Sequence, residues 1–244
     1  MKTRSRIAAA ALAGLAVCAA QATSQFAPLL RAHKYAEVER IADADLARDP
    51  LDADALIAKA DAIVALDPDG RADEALKLAE QCVAAHPQYS GCYLASGNAL
   101  GAKARHAGPM AAMGDATRVR DDFLKAVELD PRNTDARFAL LDYYIQAPRL
   151  VGGGKARAHA LAAQTEAINP AAAKLMQAQL ALGAKDETQA EALLLGVQPG
   201  SDEMVADRQR DLLVALGQRY QAEGKHADSE RISHILRQRF PASD

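Results

Sequence analysis

The sequence predicts an all-α fold, an α-solenoid of about six helix–turn–helix units that occupies residues 23–244 as a single domain. Three observations carry that expectation. A 17-residue block ending in proline recurs five times, and most copies place small or apolar residues along one helical stripe. The composition is half hydrophobic yet only 4% aromatic, with no tryptophan. Alanine is frequent; it loses no side-chain entropy on entering a helix, and its small side chain lets helices approach closely.

Residues 1–22 stand apart from this pattern. Lys2, Arg4 and Arg6 precede the apolar run IAAAALAGLAVCAA and then Ala20-Gln21-Ala22. That order of basic, apolar and small residues reads as a secretory signal peptide cleaved after Ala22, which places the protein in an exported, periplasmic compartment. The run is shorter than the ~20 residues that span a bilayer. The alternatives are a membrane anchor through an uncleaved N-terminus, or a lipidated one at Cys18, although Val17 stands where a small residue is expected. Removing the three basic residues turns the net charge of −3 into −6. An acidic chain is a poor general partner for nucleic acid or anionic membrane, both of which require a basic face.

The five blocks run in order along the chain. They are KYAEVERIADADLARDP (34–50), RADEALKLAEQCVAAHP (71–87), DATRVRDDFLKAVELDP (115–131), GKARAHALAAQTEAINP (154–170) and KHADSERISHILRQRFP (225–241). Their fifth, ninth and twelfth residues are Val38, Ala42 and Asp45; Ala75, Ala79 and Cys82; Val119, Phe123 and Ala126; Ala158, Ala162 and Thr165; and Ser229, Ser233 and Leu236. Offsets of four and three keep each triad on one face of a helix. The proline is expected to end the helix by disfavouring helical geometry at the preceding residue.

A second helical stretch precedes each block. The first unit keeps only QFAPLLRAH of it. In the third unit Tyr93, Gly97 and Leu100 follow Pro87 at 6, 10 and 13 residues; in the last, Leu216, Gly217 and Tyr220 recur ahead of Pro241. The fourth unit has Leu141 and Tyr144 but carries Arg137 where a large apolar residue is usual. A fifth, AKLMQAQLALGAKDETQAEALLLGVQP, is short and ends at Pro199. Successive prolines lie 37, 44 and 39 residues apart, so the inner turns carry insertions.

This pattern resembles the tetratricopeptide repeat (TPR) family over roughly residues 24–241, whose unit is a helix–turn–helix of ~34 residues. The resemblance implies a right-handed superhelix whose stacked pairs share one thin core, with the first helix of every unit lining the concave face.

The stretch YYIQAPRLVGGGKARAHA (143–160) invites comparison with a phosphate-binding loop, which needs G-x-x-x-x-G-K-[ST] after a strand. Arg149 holds the first glycine position, Ala156 the hydroxyl position, and the preceding ARFALLDYY reads as a helix. An inserted turn fits better, with Pro148 stopping one helix and Gly152–Gly154 supplying permissive backbone before Lys155 opens the next. A weak anion site at that helix start is the other reading. The segment YYIQAPRLVGGG is also similar to a linker of some exported bacterial TPR proteins.

Cys82 and Cys92 lie symmetrically about Pro87. They either bridge, as an oxidising compartment permits, or remain two buried thiols. Residues 101–120 lengthen the third hairpin and mix Met110 and Met113 with Lys103, Arg105, His106, Arg118 and Arg120. That arm is either an adaptable contact surface or packing against the neighbouring unit.

The groove is where function is expected. Residues four and eleven after each boundary proline are two turns apart: Asp54 with Asp61, Gly91 with Asn98, Asp135 with Asp142, and Asp211 with Gln218 by counting back from Pro241. Ile57, Leu94, Phe138 and Val214 lie between them. The partner-binding groove is therefore expected to comprise Asp54, Ile57, Asp61, Leu94, Asn98, Asp135, Phe138, Asp142, Val214 and Gln218, acidic and apolar together. The basic clamp by which some TPR proteins grip a terminal carboxylate is missing, Lys174 being the only basic residue at these offsets. A protein or peptide with basic and apolar side chains is the expected partner; alternatively the aspartates only solubilise the surface.

The six histidines are dispersed, and no H-E-x-x-H, G-x-S-x-G or cysteine–histidine pattern occurs. No catalysis, metal or cofactor is expected. The reading is a non-catalytic TPR scaffold, with two alternatives: a small-molecule-binding accessory of a transport system, or a self-assembling structural protein. An enclosed pocket near 101–118 and 146–155 would favour the small-molecule alternative.

Overall fold

The computed structural model describes residues 25–106, 108–198, 200 and 202–241, with the backbone alone at 106 and 108–112. The expected leader with Cys18 lies outside the described residues, as do Pro199 and the side chains of His106 and Met110.

Twelve α-helices, and no strand, occur among the described residues. They pair as α1 (Ala27–Arg31) with α2 (Tyr35–Leu46), α3 (Ala53–Leu66) with α4 (Ala72–Ala85), and α5 (Ser90–His106) with α6 (Gly108–Leu129). Then come α7 (Thr134–Gln146) with α8 (Lys155–Glu166), α9 (Pro170–Gly183) with α10 (Glu187–Leu195), and α11 (Glu203–Ala222) with α12 (His226–Arg239). Each helix packs on the next, and α3, α5, α7, α9 and α11 also pack on one another in that order. Such neighbour-to-neighbour stacking is the signature of an α-solenoid.

The starts of α3, α7, α9, α10 and α11 are written locally. Asp52, Asn133, Asn169, Asp186 and Asp202 each accept a hydrogen bond from the amide three residues on, at 2.9–3.1 Å. Caps of this kind contribute about 1 kcal/mol each by satisfying an otherwise orphaned donor. Helices α4, α6 and α12 end two residues before Pro87, Pro131 and Pro241, as expected, whereas Pro170 acts differently. Helix α8 ends at Glu166, and Pro170 is the first residue of α9, where its missing N–H costs nothing.

Four of the five predicted stripes are buried, from Val38 to Thr165. The fifth, Ser229, Ser233 and Leu236, is only half-buried, because α12 has no further unit beyond it among the described residues; Ile232 is the one buried residue of that helix. Gly97 meets Phe123 so closely that a Cβ there would lie 2.3 Å from the ring. Cys82 and Cys92 are joined, their Cα atoms 5.3 Å apart, tying α4 to α5.

Arg137, the departure in the fourth unit, is 5% exposed. Its Nε donates to the Pro131 carbonyl at 2.6 Å and one terminal nitrogen donates to Thr165 Oγ1 at 3.1 Å. Burial holds its pKa below the usual guanidinium range, and the nearby Asp130 carboxylate opposes the shift.

Candidate functional site: a cavity on the concave face

Three inner helices supply the floor of a cavity of about 960 Å³. Asp61 reaches it from α3, Leu94 and Asn98 from α5, and Asp135 and Asp142 from α7. Helix α6 contributes the apolar wall of Met113, Val119 and Phe123, while Leu30 and Tyr35 close the near side. The far side is Arg208 of α11.

That last contact follows from the short fifth unit. Helix α10 has 9 residues, whereas α11 has 20 and begins at the Asp202 cap. Its first turns therefore reach back past α9 to α7. Arg208 lies 3.5 Å from the Asp142 carboxylate and 4.4 Å above the Phe138 ring. Asp142 also accepts from Gln179. At the rim, Arg31 and Glu203 form an ion pair of 2.7 Å that joins the first helix to α11. Both partners retain solvent contact, so the clasp contributes roughly 0–1 kcal/mol and opens easily.

The two remaining acids make no ion pair among the described residues. Burial pushes the Asp61 carboxyl up to about 6; its hydrogen bond to Asn98 opposes the shift, and the negative Asp135 adds to it. Burial likewise raises Asp135 to about 6, opposed by Arg208 and reinforced by Asp202 and Asp207. Asp135 is nevertheless solvent-exposed, which screens its charge, whereas Asp61 is half-buried and is the better guide to the cost of charge here.

Five of the ten expected groove residues thus line the cavity: Asp61, Leu94, Asn98, Asp135 and Asp142. Phe138 lies beneath it, 1% exposed. Asp54 and Ile57 sit outside: Asp54 accepts from the Tyr89 hydroxyl at 2.9 Å, and Ile57 packs at Gly91. Val214, 39% exposed, and Gln218 face solvent two turns beyond Arg208 on α11. Lys174 is exposed and does not reach the cavity.

The groove expected from sequence omits both cavity cations. Arg208 lies one turn before Asp211 on the same face, and the Asp202 cap is the signal that α11 starts early enough to present it. Arg105 falls in the arm, which proves to be a helical continuation of α5 and α6, pinned to α4 through Lys103–Asp73 at 2.7 Å and Arg118–Glu80. Its inner side, with Arg105 and Met113, forms the cavity's outer end.

The glycine stretch is a turn. Residues Arg149–Val151 form one 3-10 turn, Gly152 has φ of 94° and Gly154 has φ of 120°. A Cβ on Gly153 would meet the Ala147 carbonyl at 1.9 Å. The amides of Gly152, Gly153 and Gly154 donate to the carbonyls of Arg149, Pro148 and Tyr144, so these three cannot cradle an anion. The Tyr143 hydroxyl fixes the Val151 carbonyl at 2.7 Å, and Val151 packs against the cavity.

Among the described residues no helix is long and apolar enough to cross a membrane, and no group of three or more histidine, cysteine or acidic side chains could hold a metal ion.

No protein-family model and no curated protein matches the sequence. Solved structures do. The chain superposes on the crystal structure of TTC0263, a thermophilic TPR protein of Thermus thermophilus, with a TM-score of 0.61 and 22% identity, covering 77% of this chain and 95% of that one. The fold is that of a TPR protein. The likeness concerns the path of the helices; the cavity side chains belong to this chain.

Proposed function

We propose that this TPR protein is a non-catalytic scaffold that holds a peptide segment of a partner protein in its concave cavity, in the periplasm. The observation that supports the reading best is the cavity itself, an apolar-walled space whose floor carries two carboxylates without an ion-pair partner, Asp61 and Asp135. Apolar walls with a few placed polar groups are what a binding pocket requires. Two fixed negative charges in a partly dehydrated site favour a cationic side chain and disfavour an acidic one. Arg208 neutralises Asp142, so the acidic character is narrower than the sequence alone indicates. The export assignment rests on the leader-like residues 1–22.

Selection from a random peptide library on the full chain tests the reading. The expected result is enrichment of segments with basic and apolar side chains, abolished in an Asp61→Lys, Asp135→Lys variant. Equal enrichment by both proteins would overturn it. A small-molecule ligand is the second reading, favoured by the cavity's position between Met113 of the long hairpin and Val151 of the glycine turn. Native mass spectrometry showing a stoichiometric co-purifying compound, with no peptide selected, would establish that reading instead.

A further inference from the structure

The cavity is polarised along helix α5. Asn98, which bonds Asp61, and Arg105 both line it. Seven residues separate them, so they share a face about two turns, or roughly 10 Å, apart. Asp61 and Asp135 gather at the Asn98 end. Arg208 is already engaged with Asp142 and the Phe138 ring, whereas Arg105 makes no ion pair among the described residues. Between the two poles α5 presents only the small residues Gly101 and Ala104 to the cavity, and a Cβ at Gly101 would meet nothing but the Arg105 tip, at 3.7 Å. The strip between the poles is therefore bare, and a ligand backbone can lie close against the helix.

Resting on the peptide reading above, we propose that the occupant is a dipolar segment, with a cationic side chain held at Asp61 and Asp135 and a carboxylate held at Arg105 about 10 Å away. An extended chain covers that distance in roughly three residues. Arginine suits the second role because its planar fork binds a carboxylate through two parallel hydrogen bonds. The two poles also fix direction, the cationic side chain lying toward the start of α5 and the carboxylate toward the long hairpin. A chain terminus and an acidic side chain offer the same carboxylate chemistry, and the test separates them.

Fluorescence anisotropy on the full chain tests the proposal with four N-terminally labelled peptides. The first is Ala-Lys-Leu-Ala-Leu with a free carboxyl end, and the second is its C-terminal amide. The third is the amide with glutamate as the last residue, and the fourth is the free acid with norleucine replacing lysine. The first peptide should bind about tenfold tighter than the second and the fourth, as expected for loss of one charge-assisted contact. Arg105→Gln should erase the preference over the amide and leave the lysine preference intact. Asp61→Asn with Asp135→Asn should do the reverse, and circular dichroism checks that both variants remain folded. Tight binding of the third peptide assigns the carboxylate to a side chain; weak binding assigns it to a chain terminus. Equal binding of all four, or preferences that survive the substitutions, would overturn the dipolar assignment alone. Failure of all four to bind would overturn the peptide reading with it.

Discussion

Helices α5 and α6, and α11 and α12, are two hairpins built on the same pattern with different outcomes. Both place a glycine against a side chain of the paired helix, Gly97 and Gly217. In the first, the glycine faces Phe123, and the inner helix has neighbours on both sides, α3 and α7. In the second it faces Ile232 at an ordinary 3.4 Å, and α12 buries only that residue. The polar positions diverge likewise. Leu94 and Asn98 line the cavity, whereas Val214 and Gln218, assigned to the groove by the same rule, face solvent. A repeat pattern specifies the hairpin; the units stacked on either side decide whether its inner face becomes part of a site.

The largest effect that would sharpen this contrast concerns the bridge beside α5. Replacing Cys82 and Cys92 by serine, or reducing them, releases a loop of ten residues and is expected to cost about 2–4 kcal/mol in chemical denaturation. Mutation of the two glycines comes next. Gly97→Ala drives a Cβ into the Phe123 ring and should cost roughly 1–3 kcal/mol, while Gly217→Ala should stay within about 0.5 kcal/mol of the wild type or stabilise it. Equal losses at both sites would break the comparison. Gly101→Leu separates folding from binding on the same helix: with open space around its Cβ it should leave the melting temperature unchanged or raise it, yet fill the cavity and weaken peptide binding about tenfold or more.

How far these features are legible in the sequence depends on their range. Caps, proline boundaries and the stripe positions are local, and they put helix pairs in the right places. The spacing of Cys82 and Cys92 about Pro87 suggests which residues meet, since a tight turn fixes both ends. Arg208 and the Arg31–Glu203 clasp are not legible, because they arise from a short α10 that lets α11 reach α7 and α1. The Asp202 cap marks where α11 starts, but which helices its first turns meet is a property of accumulated stacking that no local signal encodes. The arm is hard to read for a related reason: Gly108 and Gly114 weaken the local helical signal, but α6 begins at Gly108 and continues through Gly114, with the arm packed against α4.

A smaller effect is electrostatic. Burial pushes the Asp61 carboxyl up to about 6, above the ~3.9 of an unfolded aspartate, so holding it charged opposes folding at neutral pH, while solvent screens the exposed Asp135. Stability should rise as pH falls from about 7 through 6. Asp61→Asn should raise the melting temperature at pH 7, with the advantage shrinking toward pH 5. Affinity for a cationic peptide should move the opposite way and decline below pH 6. The charged neighbour that bears on Asp61 is Asp135, itself influenced by Arg208, Asp202 and Asp207 of the α11 start; Asp142 and Arg105 are the other charged groups lining the cavity. At the corresponding exposed positions, Val214→Ala and Gln218→Ala should change affinity less than about twofold.

The most direct measurement is a titration of the isotope-labelled chain with a library-selected peptide, following backbone amide chemical shifts. The cavity predicts the largest changes at Asp61, at Leu94 through Arg105, and at Asp135 through Asp142, with Val214 and Gln218 nearly still. Changes centred instead on residues 211–218, or on the outer helices α4 and α8, would contradict it.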